Sequence, residues 1–147
     1  MSIINNTRQA SLSKVLFRRR LDALRGKMKE RNIDAYIIVT DDFHASEYVG
    51  DYFKCREYIS GFTGSAGTLV VTADWAGLWT DGRYFIQARD QLEDNGIELM
   101  KMGIKEFPSV SDYLVQKLRP GSCLGYDGRT IRASYGKKLR GDLAGLN

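Results

Sequence analysis

The apolar residues near the start of the chain follow a helical period. They recur every three to five positions, at Leu12, Leu16, Leu21, Leu24 and Met28. The basic residues Arg18, Arg19, Arg25 and Lys29 fall largely outside this stripe. An apolar stripe beside a charged face is typical of a helix that packs one side against a core. The pattern therefore predicts a long amphipathic helix over residues 11–31.

Five stretches further along have the pattern of strands. Short apolar runs predict strands within residues 33–42, 97–102 and 122–127, the first of which ends in two aspartates. Residues 66–82 predict two strands joined by a tight turn at Ala73 and Asp74. Two strands joined by such a short turn form an antiparallel hairpin.

Helices are predicted between these strands, over residues 83–94, 107–118 and 131–147. The first uses Phe85, Ile86, Ala88 and Leu92 as its apolar positions, and the second has Pro108 near its start. Residues 44–62 are ambiguous and are assigned a helical turn followed by an extended piece. Interleaved strands and helices with one hairpin predict an α/β domain, with a mixed central sheet of about five strands flanked by helices.

The composition is that of an ordinary globular domain. The chain has 147 residues, of which 43% are hydrophobic and 27% are charged. Its apolar runs are far shorter than the roughly 18 residues of a membrane span. The start has no basic region followed by an apolar stretch, so no signal peptide is expected. These features predict a cytoplasmic protein that does not enter a membrane.

Cysteines and net charge add little to this assignment. Cys55 and Cys123 lie far apart in sequence and are predicted to be reduced and partly buried. The formal net charge is +4, with basic residues concentrated at 18–31 and 135–141. A solvated helix face explains this excess, with nucleic-acid binding as the alternative.

The glycines of residues 60–67 predict a tight loop rather than a nucleotide site. No lysine follows them as in a phosphate-binding loop, and a strand follows Gly67 where a dinucleotide motif needs a helix. Ser65 lacks the glycine spacing of a nucleophile elbow, and nothing pairs it with His44, the single histidine. Serine hydrolase chemistry is therefore not expected.

Aspartates stand at the predicted ends of three strands: Asp41 or Asp42, Asp81 and Asp127. If these strands run in the same direction, the carboxylates could converge on a pair of magnesium ions, as in a two-metal nuclease. Aspartates at strand ends more commonly cap turns and helices. One histidine and two distant cysteines do not form a zinc site.

Arg83 occupies an unusual position for a cation. Thr80 or Asp81 is the expected N-cap of the helix that follows, which places Arg83 in its first turn. The partial positive charge there disfavours a cation by roughly 0.3–1 kcal/mol. The side chain is either a surface arginine paired with Asp81 or Asp90, or an arginine placed for binding.

Three blocks of sequence carry a resemblance to a known family. They are YISGFTGSAGTLVVT, GLWTDGRYFIQA and LMKMG, and the first two are highly specific as a pair. The chain resembles the N-terminal domain of the creatinase/prolidase/aminopeptidase P family, most of all its Xaa-Pro aminopeptidases. The similarity extends from about Ile33 to Asp127.

The resemblance implies a ribonuclease H-like α/β domain without nuclease activity. Family members are metallopeptidases that release the first residue of peptides with proline second. Their two metal ions, usually manganese, lie in a separate C-terminal domain that this chain does not contain. Residues 1–147 are thus expected to be an accessory domain with no catalytic residue, metal or cofactor of its own.

The resemblance also implies candidate site residues and partners. Arg83 matches an arginine associated with the substrate pocket, Asp81 is expected to hold its guanidinium, and Tyr84 is expected to pack beside it. The expected partners are the catalytic domain, a second subunit in a dimer and the peptide, with no nucleic acid or membrane. Alternatives are the same domain of a prolidase or creatinase-like enzyme, or a stand-alone protein-interaction module.

Overall fold

One mixed sheet of five strands organises the computed structural model, which describes residues 2–42, 44, 46 and 48–146. The strands are β1 (Ala35–Val39), β2 (Thr68–Thr72), β3 (Ala76–Thr80), β4 (Glu98–Lys101) and β5 (Leu124–Tyr126). Their order is β4-β3-β2-β1-β5, and β2 alone runs against the others. The carboxyl ends of the other four strands therefore lie at one edge, and the predicted mixed sheet is confirmed.

The central hairpin has the predicted turn. Strands β2 and β3 pair antiparallel with Val71 opposite Ala76. The backbone N–H of Thr72 donates to the carbonyl of Trp75 at 2.8 Å, so Ala73 and Asp74 form a two-residue loop. The Thr72 hydroxyl also bonds the Asp74 carboxylate at 3.1 Å, which stabilises the turn.

Within the described residues, five helices flank the sheet: α1 (Ser2–Glu30), α2 (Cys55–Ser60), α3 (Phe85–Leu92), α4 (Val110–Lys117) and α5 (Ala133–Asp142). Single 3₁₀ turns lie at Asp51–Phe53, Gly82–Tyr84 and Ala144–Leu146. The second part of residues 44–62 is helical rather than extended, because α2 occupies it. Positions 45 and 47 of that stretch lie outside the described residues.

The strands bury alternate side chains on two separate cores. Ile38, Leu69 and Leu78 belong to the core under α1, α2 and α3. Their neighbours Ile37, Val70 and Trp79 belong to the core under α4 and α5. Successive side chains of a strand point to opposite faces, so both faces of this sheet are covered by helices.

Helix α1 is longer than predicted, and its apolar stripe is only half buried. Leu21 and Met28 are 2% and 3% exposed, whereas Leu12 and Leu16 are 65% and 44% exposed. A helix of 29 residues extends about 44 Å. Five-residue strands extend only about 17 Å. The N-terminal half of α1 therefore passes beyond the sheet, and Leu12 and Leu16 are not core residues.

Other burial predictions were also wrong in part. Ile86 was expected on the apolar face of α3 and is 72% exposed. Cys55 and Cys123 are free thiols as expected, but both are exposed rather than partly buried. No helix in the described part of the chain has the length and apolar character needed to cross a membrane.

The glycine-rich loop returns the chain from α2 to β2 through tight contacts. Gly61 caps α2 with a φ of 74°, a conformation that costs glycine little. A Cβ atom at Gly64 would lie 2.3 Å from the buried Phe62 ring, and one at Gly67 3.2 Å from the carbonyl of Trp79. The predicted glycine-dependent loop is confirmed.

Candidate functional site

A groove of about 760 Å³ opens at the carboxyl edge of the sheet. The ends of β1 and β3 form its floor, and the glycine-rich loop contributes Ser65 and Gly67. The start of α5 forms another wall, with Arg132 and Lys138. Asp81 and Arg83, two of the predicted site residues, both line this groove.

Asp81 holds Arg83 in one orientation. Its Oδ1 accepts the backbone N–H of Arg83 at 3.0 Å, which caps the 3₁₀ turn. The Nε and Nη2 atoms of Arg83 donate to the two carboxylate oxygens, each at 2.9 Å. Arg83 therefore lies in the 3₁₀ turn just before α3 rather than in the first turn of that helix, and the bidentate pair offsets the cost of a cation there. The expected contact is present, while the role in substrate binding stays a prediction.

Tyr84 lies behind Arg83 rather than in the groove. The guanidinium carbon of Arg83 lies 5.2 Å from the centre of the Tyr84 ring, within cation–π range. The Tyr84 hydroxyl shares a hydrogen bond of 2.7 Å with the hydroxyl of Ser65. Tyr84 therefore connects Arg83 to the glycine-rich loop, and its part in the pocket stays a prediction.

The pKa of Asp81 makes this pair testable by pH. Hydrogen bonds from the Arg83 side chain are the main cause that holds the pKa of the Asp81 carboxyl below its ordinary value. A carboxyl group whose pKa is lower in the folded than in the unfolded state stabilises the fold at pH values above the unfolded-state pKa. This contribution is lost as the pH falls through the folded-state pKa. The carboxyl is partly exposed, so the effect on stability is small.

We expect NMR titration of the Asp81 carboxyl to give a midpoint below about 3.9. Replacing Arg83 by glutamine removes the charged donors, so the midpoint should return towards that value. Asp127, whose carboxyl is held by a different arginine, serves as the internal control and should not change. An Asp81 midpoint that is the same in both proteins would contradict the pairing.

Arg56 lies beneath the site and was not revealed by the sequence, whereas Ser65 lines the groove although the sequence predicted no catalytic role for it. The Arg56 side chain is buried beneath the glycine-rich loop, donates through Nη2 to the carbonyl of Gly64 and lies 4.8 Å from the Phe62 ring centre. Its Nε and Nη1 atoms have no hydrogen-bond partner among the described residues. Burial lowers the pKa of Arg56 to about 10, so it remains a cation at neutral pH. A buried charge here fixes the loop that carries Ser65.

Arg132 is another residue without a sequence signal. Its Nε donates to Oδ2 of Asp41 at 2.7 Å, although the residues are 91 positions apart. Asp41 is 6% exposed, and a carboxylate this buried needs a paired charge. The pair joins the end of β1 to the start of α5 across the groove.

The strand-end aspartates share one edge but do not form a metal site. Three of the carboxylates each form an ion pair with a different arginine, in the pairs Asp81–Arg83, Asp127–Arg129 and Asp41–Arg132. Asp42 instead accepts the backbone N–H groups of His44 and Ser46, at 2.9 and 3.1 Å. Among the described residues, no group of three or more His, Cys, Asp or Glu side chains is placed to hold a metal ion. The geometry matches turn capping rather than a two-metal nuclease.

Basic residues of α1 contact the domain itself. The Nε of Arg18 donates to the carbonyl of Asp94 at 2.7 Å, and that of Arg25 to the carbonyl of Thr72 at 3.0 Å. A solvent-exposed helix face therefore explains only part of the excess of basic residues in α1. Two of the basic side chains of α1 are thus used in contacts within the domain.

Comparison with known proteins gives relatives for this fold and groove. The family described as the creatinase/prolidase N-terminal domain matches residues 20–147. The "Probable Xaa-Pro aminopeptidase P" of Neurospora crassa is 47% identical over 124 residues, which cover 84% of this chain and 18% of that protein. The chain thus spans about a fifth of the length of this relative.

Solved structures show the same relationship. The X-prolyl aminopeptidase of Caenorhabditis elegans, described as a cytosolic enzyme with a di-nuclear active site, has a TM-score of 0.72 at 41% identity. The match covers 78% of this chain and 18% of that one. A creatinase/prolidase-like N-terminal domain from Corynebacterium diphtheriae has a TM-score of 0.65 at 26% identity, covering 86% of this chain and 87% of that one. The chain therefore belongs to the creatinase/prolidase N-terminal domain family.

Proposed function

We propose that this chain is the non-catalytic N-terminal domain of a metal-dependent Xaa-Pro aminopeptidase. Such an enzyme releases the first residue of a peptide whose second residue is proline. On this proposal residues 1–147 are an accessory domain that shapes the mouth of the active site. Hydrolysis takes place in a catalytic domain elsewhere in the complete protein. The names and identities of the fungal and nematode relatives support this assignment.

One observation carries the proposal: Arg83 lies in the groove with its guanidinium fixed by Asp81. A guanidinium held in one orientation can recognise a carbonyl or carboxylate oxygen of a peptide. The ring of Tyr84 supports it from behind. Arg83 is therefore our candidate for substrate contact, and Asp81 and Tyr84 are candidates for holding it in place.

The remaining partners follow from the same proposal. The catalytic domain would hold two divalent ions, manganese in our expectation, to polarise the scissile carbonyl and activate water. The description of the nematode relative as a cytosolic enzyme with a di-nuclear active site supports both the ion pair and a cytoplasmic location. We expect this domain to contribute to a dimer.

The test is hydrolysis of an Xaa-Pro-Xaa tripeptide with manganese, by this chain and by the complete protein. We expect no cleavage by this chain, because the proposal places every metal ligand in the other domain, and release of the first residue by the complete protein. An Xaa-Pro dipeptide is the matched control, since a prolidase cleaves only dipeptides. A complete protein that cleaves neither peptide, or only the dipeptide, would contradict the proposal.

A further inference from the structure

The sequence Asp-Gly-Arg occurs twice, and both copies fold in the same way at the carboxyl end of a strand. Residues 81–83 follow β3 and residues 127–129 follow β5. In each copy the arginine backbone N–H donates to the aspartate Oδ1, at 3.0 and 2.9 Å. The Nε and Nη2 atoms hold the same carboxylate in both. Each guanidinium carbon also lies over a tyrosine ring, at 5.2 and 5.4 Å from its centre.

The two copies differ in where that tyrosine comes from. Beside Arg83 it is the next residue, Tyr84. Beside Arg129 it is Tyr52, 77 positions away, and Nη1 of Arg129 donates to its hydroxyl at 2.7 Å. The hydrogen bonds to Asp127 and Tyr52 raise the pKa of Arg129 above its ordinary value. The second copy is thus a charged link between distant parts of the chain.

The linked part of the chain lines a side pocket next to the groove. Tyr52 is the middle residue of the 3₁₀ turn Asp51–Phe53, in the long connection from β1 to β2. Residues of segment 48–54 line a side pocket of about 200 Å³ that shares Thr40 and Ser65 with the main groove. Any shift of segment 48–54 therefore changes the wall of this side pocket, which adjoins the groove.

Burial does not hold the tip of this segment in place. Tyr52 is 70% exposed, so little apolar area opposes its movement. Two contacts of the turn, Phe53 N–H to the Gly50 carbonyl at 2.9 Å and Lys54 to Asp51 at 2.8 Å, are local to it. The bond to Arg129 reaches instead to the end of β5, which is part of the sheet.

We propose that Arg129 is a positioning residue for the side pocket beside the groove. Through Tyr52 it fixes segment 48–54 at the carboxyl edge of the sheet, and so sets the shape of the side pocket. The effect on peptide affinity rests on the function proposed above. The effect on segment 48–54 is a property of this chain alone.

Hydrogen–deuterium exchange of this chain tests the first effect. In Arg129→Gln and in Tyr52→Phe, we expect the amides of Phe53 and Lys54 to exchange about tenfold faster, the factor for losing one hydrogen bond to a charged group. Amides of the strands should be unchanged. Arg83→Gln, which alters the same motif on β3, is the matched control and should leave segment 48–54 unchanged. Unaltered exchange in both variants, or equal acceleration throughout the sheet, would overturn the proposal.

Steady-state kinetics of the complete enzyme tests the second effect. Arg129→Gln should raise KM about fivefold or more with kcat nearly unchanged, because it weakens binding without touching the reacting groups. Arg129→Lys should recover only part of the affinity, since lysine keeps the charge but not the fork. An unchanged KM would overturn the role in affinity. If the complete protein cleaves no Xaa-Pro peptide, the proposed function fails, and the exchange experiment still decides whether Arg129 fixes the segment.

Discussion

Replacing Arg83 by alanine in the complete enzyme is expected to lower kcat/KM for Xaa-Pro peptides by about 10- to 100-fold. This range corresponds to losing a hydrogen bond from a charged donor, worth about 1.5–3 kcal/mol. The physical reason is the orientation of the guanidinium, which Asp81 holds through Nε and Nη2 at 2.9 Å each. Arg83→Lys should restore little activity, because an ammonium group cannot form this fork.

The matched control is Arg89→Ala on the neighbouring helix. Arg89 is an exposed arginine that pairs with the adjacent Asp90, and it does not line the groove. We expect its loss to leave kcat/KM unchanged. Both variants should keep the stability of the parent, since exposed ion pairs contribute at most about 1 kcal/mol. If Arg83→Ala has the kinetics of Arg89→Ala, then Arg83 is a surface arginine and no part of the substrate pocket.

Replacing Trp79 by alanine should cost about 3–5 kcal/mol of the free energy of unfolding, a large share of the 5–15 kcal/mol typical of a domain. Trp79 is 1% exposed and packs edge-on against the rings of Trp75 and Tyr113, with centroids 5.8 and 5.5 Å away. Its indole N–H donates to the carbonyl of Pro108 at 2.8 Å. Alanine would leave a cavity between β3 and α4 and an unpaired carbonyl.

Urea denaturation followed by far-UV circular dichroism measures this cost, because the signal does not depend on tryptophan fluorescence. The midpoint should fall while the m-value stays constant. Trp79→Phe is the control that separates packing from hydrogen bonding. It keeps an aromatic ring but leaves the Pro108 carbonyl unpaired, so we expect a loss of about 1–3 kcal/mol. A cost below about 1 kcal/mol for Trp79→Ala would contradict the central place of this side chain in the second core.

The strands were predictable because helices cover both faces of the sheet, so each central strand is a short continuous apolar run. Ile37 and Ile38 serve opposite faces of the sheet, and apolar runs bounded by turn residues mark such buried strands. The Asp81–Arg83 contact was predictable because the residues are two positions apart and an aspartate at an N-cap is common. Contacts between residues that are close in sequence can therefore be recognised from the sequence.

Contacts between polar residues that are far apart in sequence cannot be recognised in this way. Arg132 meets Asp41 across 91 positions, and nothing about an arginine after a short strand indicates its partner. The same holds for Tyr52 and Arg129, although the repeated Asp-Gly-Arg triplet was an available signal. The exposure of Leu12 and Leu16 could not be predicted either. A helical period shows which face of a helix is apolar, but not how far the sheet beneath that face extends.

The position of β5 beside β1 has a consequence for synthesis on the ribosome. Ala35 of β1 pairs with Leu124 of β5, 89 residues later, whereas the hairpin partner β2 follows β1 much sooner. At a synthesis rate of about 5–20 residues per second, β5 is made roughly 4–18 seconds after β1. During that time one side of a buried apolar strand has unpaired backbone groups, which makes it a template for pairing with another chain. Nascent chains that stop short of β5 should therefore be the forms of this protein most prone to aggregate and most dependent on chaperones.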